Sequence, residues 1–462
     1  MNTIAWLSLA KAIYAMVSAI TFFYVVAGLQ ISEYGIYSIC SSIYIVHEFC
    51  LREGLENSIL KSSLALTSIN SYSNKLIIKW IIALTVIAIT LYVLREQRFL
   101  SEYWVMILLC LLISALQLPT TKYRALSLKS GKGPLLAIAS MIAGIGSCIV
   151  AIVSISNNLG VFALITQQIS YHLISILIFS ITLRSKLTNP IGNDRHTDDI
   201  SKDTLSLLPA TLLTALSNRA DILVIGAFFN TESVGIYSVI KRLFQIYIDI
   251  LGSPIDKFSF LKKGNELFYL KISGIYFVLM YAFFVSFYGL KEIFNEYFLK
   301  TNTDAYTNSF IALTLIVLII SSATNTAKSK LITAKRIALL TKIKIFETFT
   351  WIIIFTLATT SSLELTLVAL IIRSLFSYAT ISFYSFKPSS FITLLIQLVI
   401  LFGLIAISYI CINHFNQPAY PNLTEALISA TKGILTALLL PTLIISTALI
   451  SRYWMKKNNA KY

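Results

Sequence analysis

The sequence GLQISEYGIYSI occupies residues 28–39, and FFNTESVGIYSV occupies residues 228–239. Both carry Gly-Ile-Tyr-Ser, at 35–38 and 235–238, just after a short polar turn between two long apolar runs. Self-similarity at a fixed offset is how repeated structural units show in a sequence, and in membrane transporters such repeats face one another around a central pathway. A second echo sets Lys122, Arg124 and Lys129 against Lys328, Lys330 and Lys335. Both echoes fall at matching places in two halves of six apolar runs each. Because six is even, the halves enter the membrane in the same orientation, as a parallel repeat about an axis along the membrane normal.

Of the 462 residues, 56% are hydrophobic and only 13% are charged, a balance that a soluble core does not account for. Fourteen apolar runs approach or exceed the roughly 20 residues that a helix needs to cross a bilayer. They lie at 11–29, 36–51, 76–94, 103–118, 134–156, 159–183, 205–229, 234–251, 269–290, 307–326, 345–360, 363–383, 391–412 and 426–450. The runs are too long for strands and lack the alternation of an outer-membrane barrel, so their backbone polar groups must be satisfied inside helices. The expected fold is an all-α integral membrane protein of about 14 transmembrane helices. It comprises an N-terminal six-helix lobe (1–187), a polar linker (188–204), a second six-helix lobe (205–386) and an appended helix pair with a basic tail (387–462). The first apolar run lacks a small-residue cleavage site and is expected to be a retained helix rather than a signal peptide.

Lysine and arginine are retained in cytoplasmic loops, which sets the orientation. With the N-terminus inside, clusters such as Lys122, Arg124, Lys129 and Lys132, or Lys328, Lys330, Lys335 and Arg336, all fall on inner loops. The outer loops then hold only Arg95, Arg98, Lys291 and Lys300, so both termini are expected in the cytoplasm. The net charge of +16 follows from this topology and from attraction to anionic headgroups of membrane lipids. A nucleic-acid partner is disfavoured, because no soluble basic module is long enough to fold. Cys40, Cys50, Cys110, Cys148 and Cys411 stand singly on apolar runs without metal-ligand spacing, so neither a metal nor another cofactor is expected. The longest outer loop, about 291–306, is too short to carry the acid, base or nucleophile of a glycan-processing enzyme.

Three features resemble the Wzx-type polysaccharide flippases of the multidrug/oligosaccharidyl-lipid/polysaccharide exporter superfamily. They are ISEYGIYS at 31–38, LLPATLLTALSNRADILVIGAFFNTESVGIYSVIKRLF at 207–244, and the helix count with a basic loop after the fourth helix. The resemblance covers nearly the whole chain. It implies a transporter, not an enzyme, in the bacterial cytoplasmic (inner) membrane. Its cargo would be an undecaprenyl-diphosphate-linked oligosaccharide moved from the inner to the outer leaflet for O-antigen, capsule or a similar glycan. A polysaccharide polymerase would be its partner, and H+ or Na+ a coupling ion, although no ion-site motif stands in the sequence. Two rivals are kept: a multidrug or organic-cation antiporter of the same superfamily, and a membrane-embedded glycan polymerase.

Ionisable groups inside apolar helices are costly and face a partner or a wet cavity. Arg219 lies in the seventh run, Lys241 and Arg242 in the eighth, Arg373 in the twelfth and Lys432 in the fourteenth. One reading is a cationic cavity for a diphosphate, which Arg grips bidentately and Lys meets as a point charge. The other is local pairing: Asp249 falls on the face of Lys241 or Arg242, and Asp221 stands near Arg219. At the repeat offset, Ala19, Ser41 and Ser42 replace Arg219, Lys241 and Arg242, so the shared fold does not demand these charges. We expect a cavity role for at least one of the three, leave both readings open for Arg373, and read Lys432 as interfacial. Glu48 and Arg52 form an i,i+4 pair that either stabilises its helix or gates an ion. His172, with Gln167, Gln168 and Tyr171, either lines a sugar-contacting wall or is a satisfied buried histidine. Gly144 and Gly146 mark close helix packing, and Pro441 a kink.

Overall fold

The computed structural model describes residues 2–56, 59, 66–93, 98–187, 211–213, 215–248, 266–291, 306–333, 337–360 and 362–415. Among them are thirteen α-helices and no strand. The first seven are α1 (Asn2–Ala27), α2 (Ile31–Cys50), α3 (Leu66–Val93), α4 (Arg98–Lys129), α5 (Gly133–Ser156), α6 (Phe162–Leu187) and α7 (Ala220–Phe228). The remainder are α8 (Thr231–Tyr247), α9 (Glu266–Gly289), α10 (Tyr306–Thr333), α11 (Ile337–Thr360), α12 (Leu363–Ser385) and α13 (Pro388–Phe415). A π-helical turn, Leu51–Glu56, continues α2. The first thirteen apolar runs thus fall on thirteen helices in order. The fourteenth run, with Lys432 and Pro441, lies outside the described residues, as does the linker 188–204.

Seven of these helices are long and apolar enough on their own to cross a membrane, among them Pro134–Ser156 and Pro388–Ile410. Two readings of the sequence are corrected. The fourth helix does not stop before Pro119 but carries it and runs on to Lys129. A proline removes one helical hydrogen bond, a loss that neighbouring helices and Ser or Thr side chains make good inside a membrane. The seventh run is not one continuous helix: Thr211–Ser217 and Ala220–Phe228 meet at a bend of 48°.

The chain divides into two compact units, Met1–Ile250 with Thr341–Thr366, and Leu251–Leu340 with Leu367–Tyr462. In the first unit, α5 packs between α1 and α6, α4 against α2, α3 and α6, and α8 against α2 and α7. The contact face of α5 is a run of small residues, with Ala137, Ala139, Ala143, Ser147 and Ala151 all buried. Small side chains let backbones approach, which is how helices gain van der Waals contact where lipid removes the hydrophobic drive between them. The outer faces are apolar instead: Ile78, Ile82, Val86, Ile89 and Val93 form an exposed stripe along α3, and Leu173, Leu177 and Ile181 one along α6. In the second unit, α9 packs against α10 and α13. Glu266 at the head of α9 joins them by accepting from Lys330 Nζ at 3.0 Å and Ser390 Oγ at 2.9 Å.

The repeated tetrapeptides meet. In α2 and α8, a Cβ built on Gly35 would overlap the carbonyl of Thr231, and one built on Gly235 would overlap the carbonyl of Ile31. Positions 31 and 231, like 35 and 235, are related by the repeat offset, so the crossing is symmetric at the level of sequence. Only glycine permits two helix backbones to touch in this way. At the end of α4, Gly131 takes φ +73° while Lys132 N–H donates to Ser127 O at 2.9 Å, which closes the helix.

Candidate cationic cavity

Residues from five helices of the first unit enclose a cavity of about 390 Å³, within the size range of small-molecule sites. Helical periodicity decides which side chains reach it. On α8 these are Ser238, Lys241, Arg242 and Gln245; on α6, Leu164, Gln167, Gln168, Tyr171 and His172. On α2 they are Tyr34, Tyr37, Ser38, Ser41, Tyr44, Ile45 and Glu48, and on α1, Tyr14, Ser18, Phe22 and Val25. Each set repeats every three or four residues, the spacing of one helix face. Arg219 at the bend and Ile222 on α7 complete the wall.

The phase of α8 is set at its first turn, where the Asn230 side chain accepts from Ser233 N–H at 2.7 Å. The bend before α7 leaves the carbonyl of Asn218 outside the helical ladder. Lys241 Nζ donates to it at 3.0 Å and to Asp221 Oδ2 at 2.5 Å. Irregular backbone at membrane depth is tolerated where it lines a wet cavity and its polar groups find partners, and Lys241 supplies one here. Asp221 also accepts from Tyr237 OH at 2.6 Å and from Ile222 N–H at 2.9 Å. The acid near Arg219 in sequence is therefore the partner of Lys241 in space.

That pairing splits the three bases. Lys241 is neutralised by Asp221, whereas among the described residues neither Arg219 nor Arg242 has a carboxylate within ion-pair distance. Arg242 is exposed to the cavity and reaches Ser18 Oγ on α1 at 3.5 Å. Two arginines thus face the cavity with no carboxylate partner among the described residues, an arrangement suited to an anion with several oxygens.

The opposite walls are neutral or acidic. Tyr37 OH and Tyr44 OH lie 2.6 Å apart, and the rings of Tyr14 and Tyr171 stack with centroids 6.2 Å apart. His172 is buried, lines the cavity, and has its Nδ1 3.3 Å from Thr120 Oγ1, as the satisfied-histidine reading expects. Glu48 lines the same cavity. The backbone of Arg52 continues the π-helical turn; its side chain and Asp249 lie outside the described residues. Arg373 stands on α12, in the second unit. Gly144 and Gly146 do mark close packing, against the Tyr14 ring and Ile174.

Residues 29–261, just over half of the chain and including most of the cavity wall, match a family described as polysaccharide biosynthesis protein. No curated protein sequence matches the chain. Among solved structures, the lipid II flippase MurJ in an inward closed conformation aligns with a TM-score of 0.68 at 13% identity, covering 96% of this chain and 99% of that one. A MATE-family multidrug resistance transporter of the MOP superfamily aligns in its inward-facing conformation with a TM-score of 0.54 at 14% identity, covering 87% of this chain and 99% of that one. An outward-facing MATE transporter gives 0.52 at 13% identity, covering 87% and 96%. At such identities the likeness is one of fold. The chain is therefore a multi-pass membrane protein that belongs to the polysaccharide biosynthesis protein family, on the helical fold of MurJ and the MATE transporters.

Proposed function

We propose that this protein is a flippase, not an enzyme, that carries undecaprenyl-diphosphate-linked oligosaccharide repeat units from the inner to the outer leaflet of a bacterial cytoplasmic membrane. The observation that carries this reading is the pair Arg219 and Arg242, facing a polar cavity without acidic partners among the described residues. A diphosphate leaving water loses its hydration, and two guanidinium groups replace it with charge-assisted hydrogen bonds. The polyprenyl tail stays in lipid while the headgroup passes. Alternating access between the halves 1–187 and 205–386 moves the headgroup across, with both termini in the cytoplasm. A polysaccharide polymerase takes the product for O-antigen or capsule assembly, and an H+ or Na+ gradient drives the cycle. The family membership supports a glycan-linked cargo, and the likeness to a lipid II flippase supports a lipid-linked one.

An organic-cation antiporter is the weaker reading: Asp221 is tied to Lys241, and the one carboxylate among the described lining residues, Glu48, is outnumbered by Arg219 and Arg242. The test is reconstitution of the purified protein in liposomes with an undecaprenyl-diphosphate oligosaccharide labelled in its glycan. Protein-dependent transbilayer movement that falls at least tenfold in folded Arg219→Ala and Arg242→Ala variants is expected. Movement retained in both variants refutes the cationic-cavity mechanism. No movement by the wild type, together with uptake of organic cations, favours the antiporter.

A further inference from the structure

We infer that the α6 wall, with Tyr14 and Glu48, is a glycan subsite that reads the sugar next to the diphosphate and rejects one bearing a carboxylate. This inference rests on the flippase reading above. Its starting point is the chemical division of the cavity: Arg219 and Arg242 stand at α7 and α8, and among the described residues α1, α2 and α6 contribute no lysine or arginine to the lining.

The neutral side is built as a platform. Tyr14 sits where Gly144 offers no Cβ, and any larger residue there would overlap the ring. The ring is thereby laid against α5 and stacks on Tyr171 of α6, with interplanar angle 29°. Sugar rings present axial C–H bonds on one face, and these pack on aromatic faces as apolar surface does. One turn before Tyr171, Gln167 and Gln168 bring two amides to the same cavity. Among the described residues the only side-chain hydrogen bond of Gln167 is a weak one to Cys148 Sγ at 3.6 Å, and the side chain of Gln168 makes none. An amide both donates and accepts, so it matches a pair of adjacent sugar hydroxyls, each of which does the same. His172, held by Thr120, continues the row one residue beyond Tyr171.

Glu48 sets the sign. It is exposed to the cavity, and among the described residues no basic side chain lies within ion-pair distance of it; the Arg52 side chain is outside them. A carboxylate accepts bidentately from vicinal hydroxyls, but it repels a uronic acid in a partly dehydrated site. The cavity therefore orients its ligand, with diphosphate towards Arg219 and Arg242 and an uncharged pyranose towards α6 and Glu48.

The test is binding of three lipids to the purified full-length protein in detergent: undecaprenyl diphosphate, its N-acetylglucosamine conjugate and its glucuronic acid conjugate. The wild type is expected to bind the N-acetylglucosamine conjugate more tightly than the bare lipid. Gln167→Ala/Gln168→Ala should lower that ratio by about tenfold, the loss expected for two uncharged hydrogen-bonding side chains. The isosteric Glu48→Gln should raise the affinity for the glucuronic acid conjugate relative to the N-acetylglucosamine conjugate by about tenfold, the scale of one relieved charge contact. An unchanged ratio in the glutamine variant, or undiminished discrimination against glucuronic acid in Glu48→Gln, overturns the subsite. Failure of Arg219→Ala/Arg242→Ala to weaken binding of the bare lipid would instead count against the diphosphate site, so the two readings fail separately.

Discussion

Replacing Gly235 by alanine puts a methyl group into the carbonyl of Ile31 on the facing helix. In a helix interior alanine is favoured over glycine by about 1 kcal/mol. Overpacking costs typically about 1–3 kcal/mol, and the upper end applies here because the obstacle is backbone, which has no rotamer to change. The added Cβ would also stand 3.0 Å from Ile31 Cγ1, so the side chain beside the carbonyl leaves no room for a sideways shift. Taken together, Gly235→Ala should destabilise the first unit by about 2 kcal/mol, a drop of roughly 4–8 °C in thermal midpoint. Gly35→Ala meets the Thr231 carbonyl and should match it. The double variant should lose less than the sum, because one separation of α2 from α8 accommodates both methyl groups. Gly403 on α13 is the control: among the described residues nothing lies within 4 Å of its added Cβ, so Gly403→Ala should be neutral or gain about 0.5–1 kcal/mol. Thermal unfolding of the four variants in one detergent decides the matter. If Gly235→Ala melts at or above the wild type, as Gly403→Ala should, the glycine crossing is not a tight backbone contact and the argument fails.

Three further outcomes are expected. In a double-mutant cycle, Lys241→Ala and Asp221→Asn should show a coupling of about 1–3 kcal/mol, because both side chains are mostly buried and each single change strands the other charge; additive losses would mean that the pair contributes nothing. Asn230→Ala removes the acceptor for Ser233 N–H and should cost about 1 kcal/mol by thermal unfolding, whereas Asn230→Asp or Asn230→Ser should largely retain stability. Gly144→Ala should displace the Tyr14 ring, lowering stability by about 1–3 kcal/mol and reducing the preference for a glycosylated over a bare diphosphate lipid; an unchanged preference in the folded variant would disconnect that ring from glycan binding.

The order of the helices was legible because each must satisfy its backbone internally and cover itself with apolar side chains, and a run of such residues announces both needs. Packing was legible only in part. Gly144 was marked as a contact, but the requirement at Gly35 and Gly235 comes from a carbonyl on another helix, which has no position until the two helices cross. The pairing of Lys241 with Asp221 was hidden for a related reason. Charge spacing predicts neighbours along one helix, while these residues lie 20 apart on either side of the turn between α7 and α8. The bend at 218–219 has no proline or glycine to mark it; its trace is the lysine that fills the vacated carbonyl. The tyrosines that face the cavity could not be separated from those at lipid interfaces, because both occupy amphipathic faces with the same period.

The repeat offset also separates what the fold requires from what the cavity requires. Glycine and tyrosine recur at 35 and 235 and at 37 and 237, where the glycines form the crossing and both tyrosines are buried. The two phenols then diverge: Tyr37 bonds to Tyr44, whereas Tyr237 bonds to Asp221. Asp221 has Thr21 as its counterpart, and Thr21 turns its hydroxyl to its own helix, on Val17 O at 2.9 Å. Lys241 and Arg242 have as their counterparts at the repeat offset Ser41 and Ser42, whose short side chains bond back to Ser38 O. One copy thus carries long charged side chains where the other carries short hydroxyls. A symmetric pair of long bases would repel, and a symmetric pair of serines would leave Arg219 as the one lysine or arginine among the described lining residues. The duplicated residues hold the helices together, and the departures from duplication make the space between them chemically one-sided, which suits the proposed cargo, a headgroup with an anionic end and a glycan end.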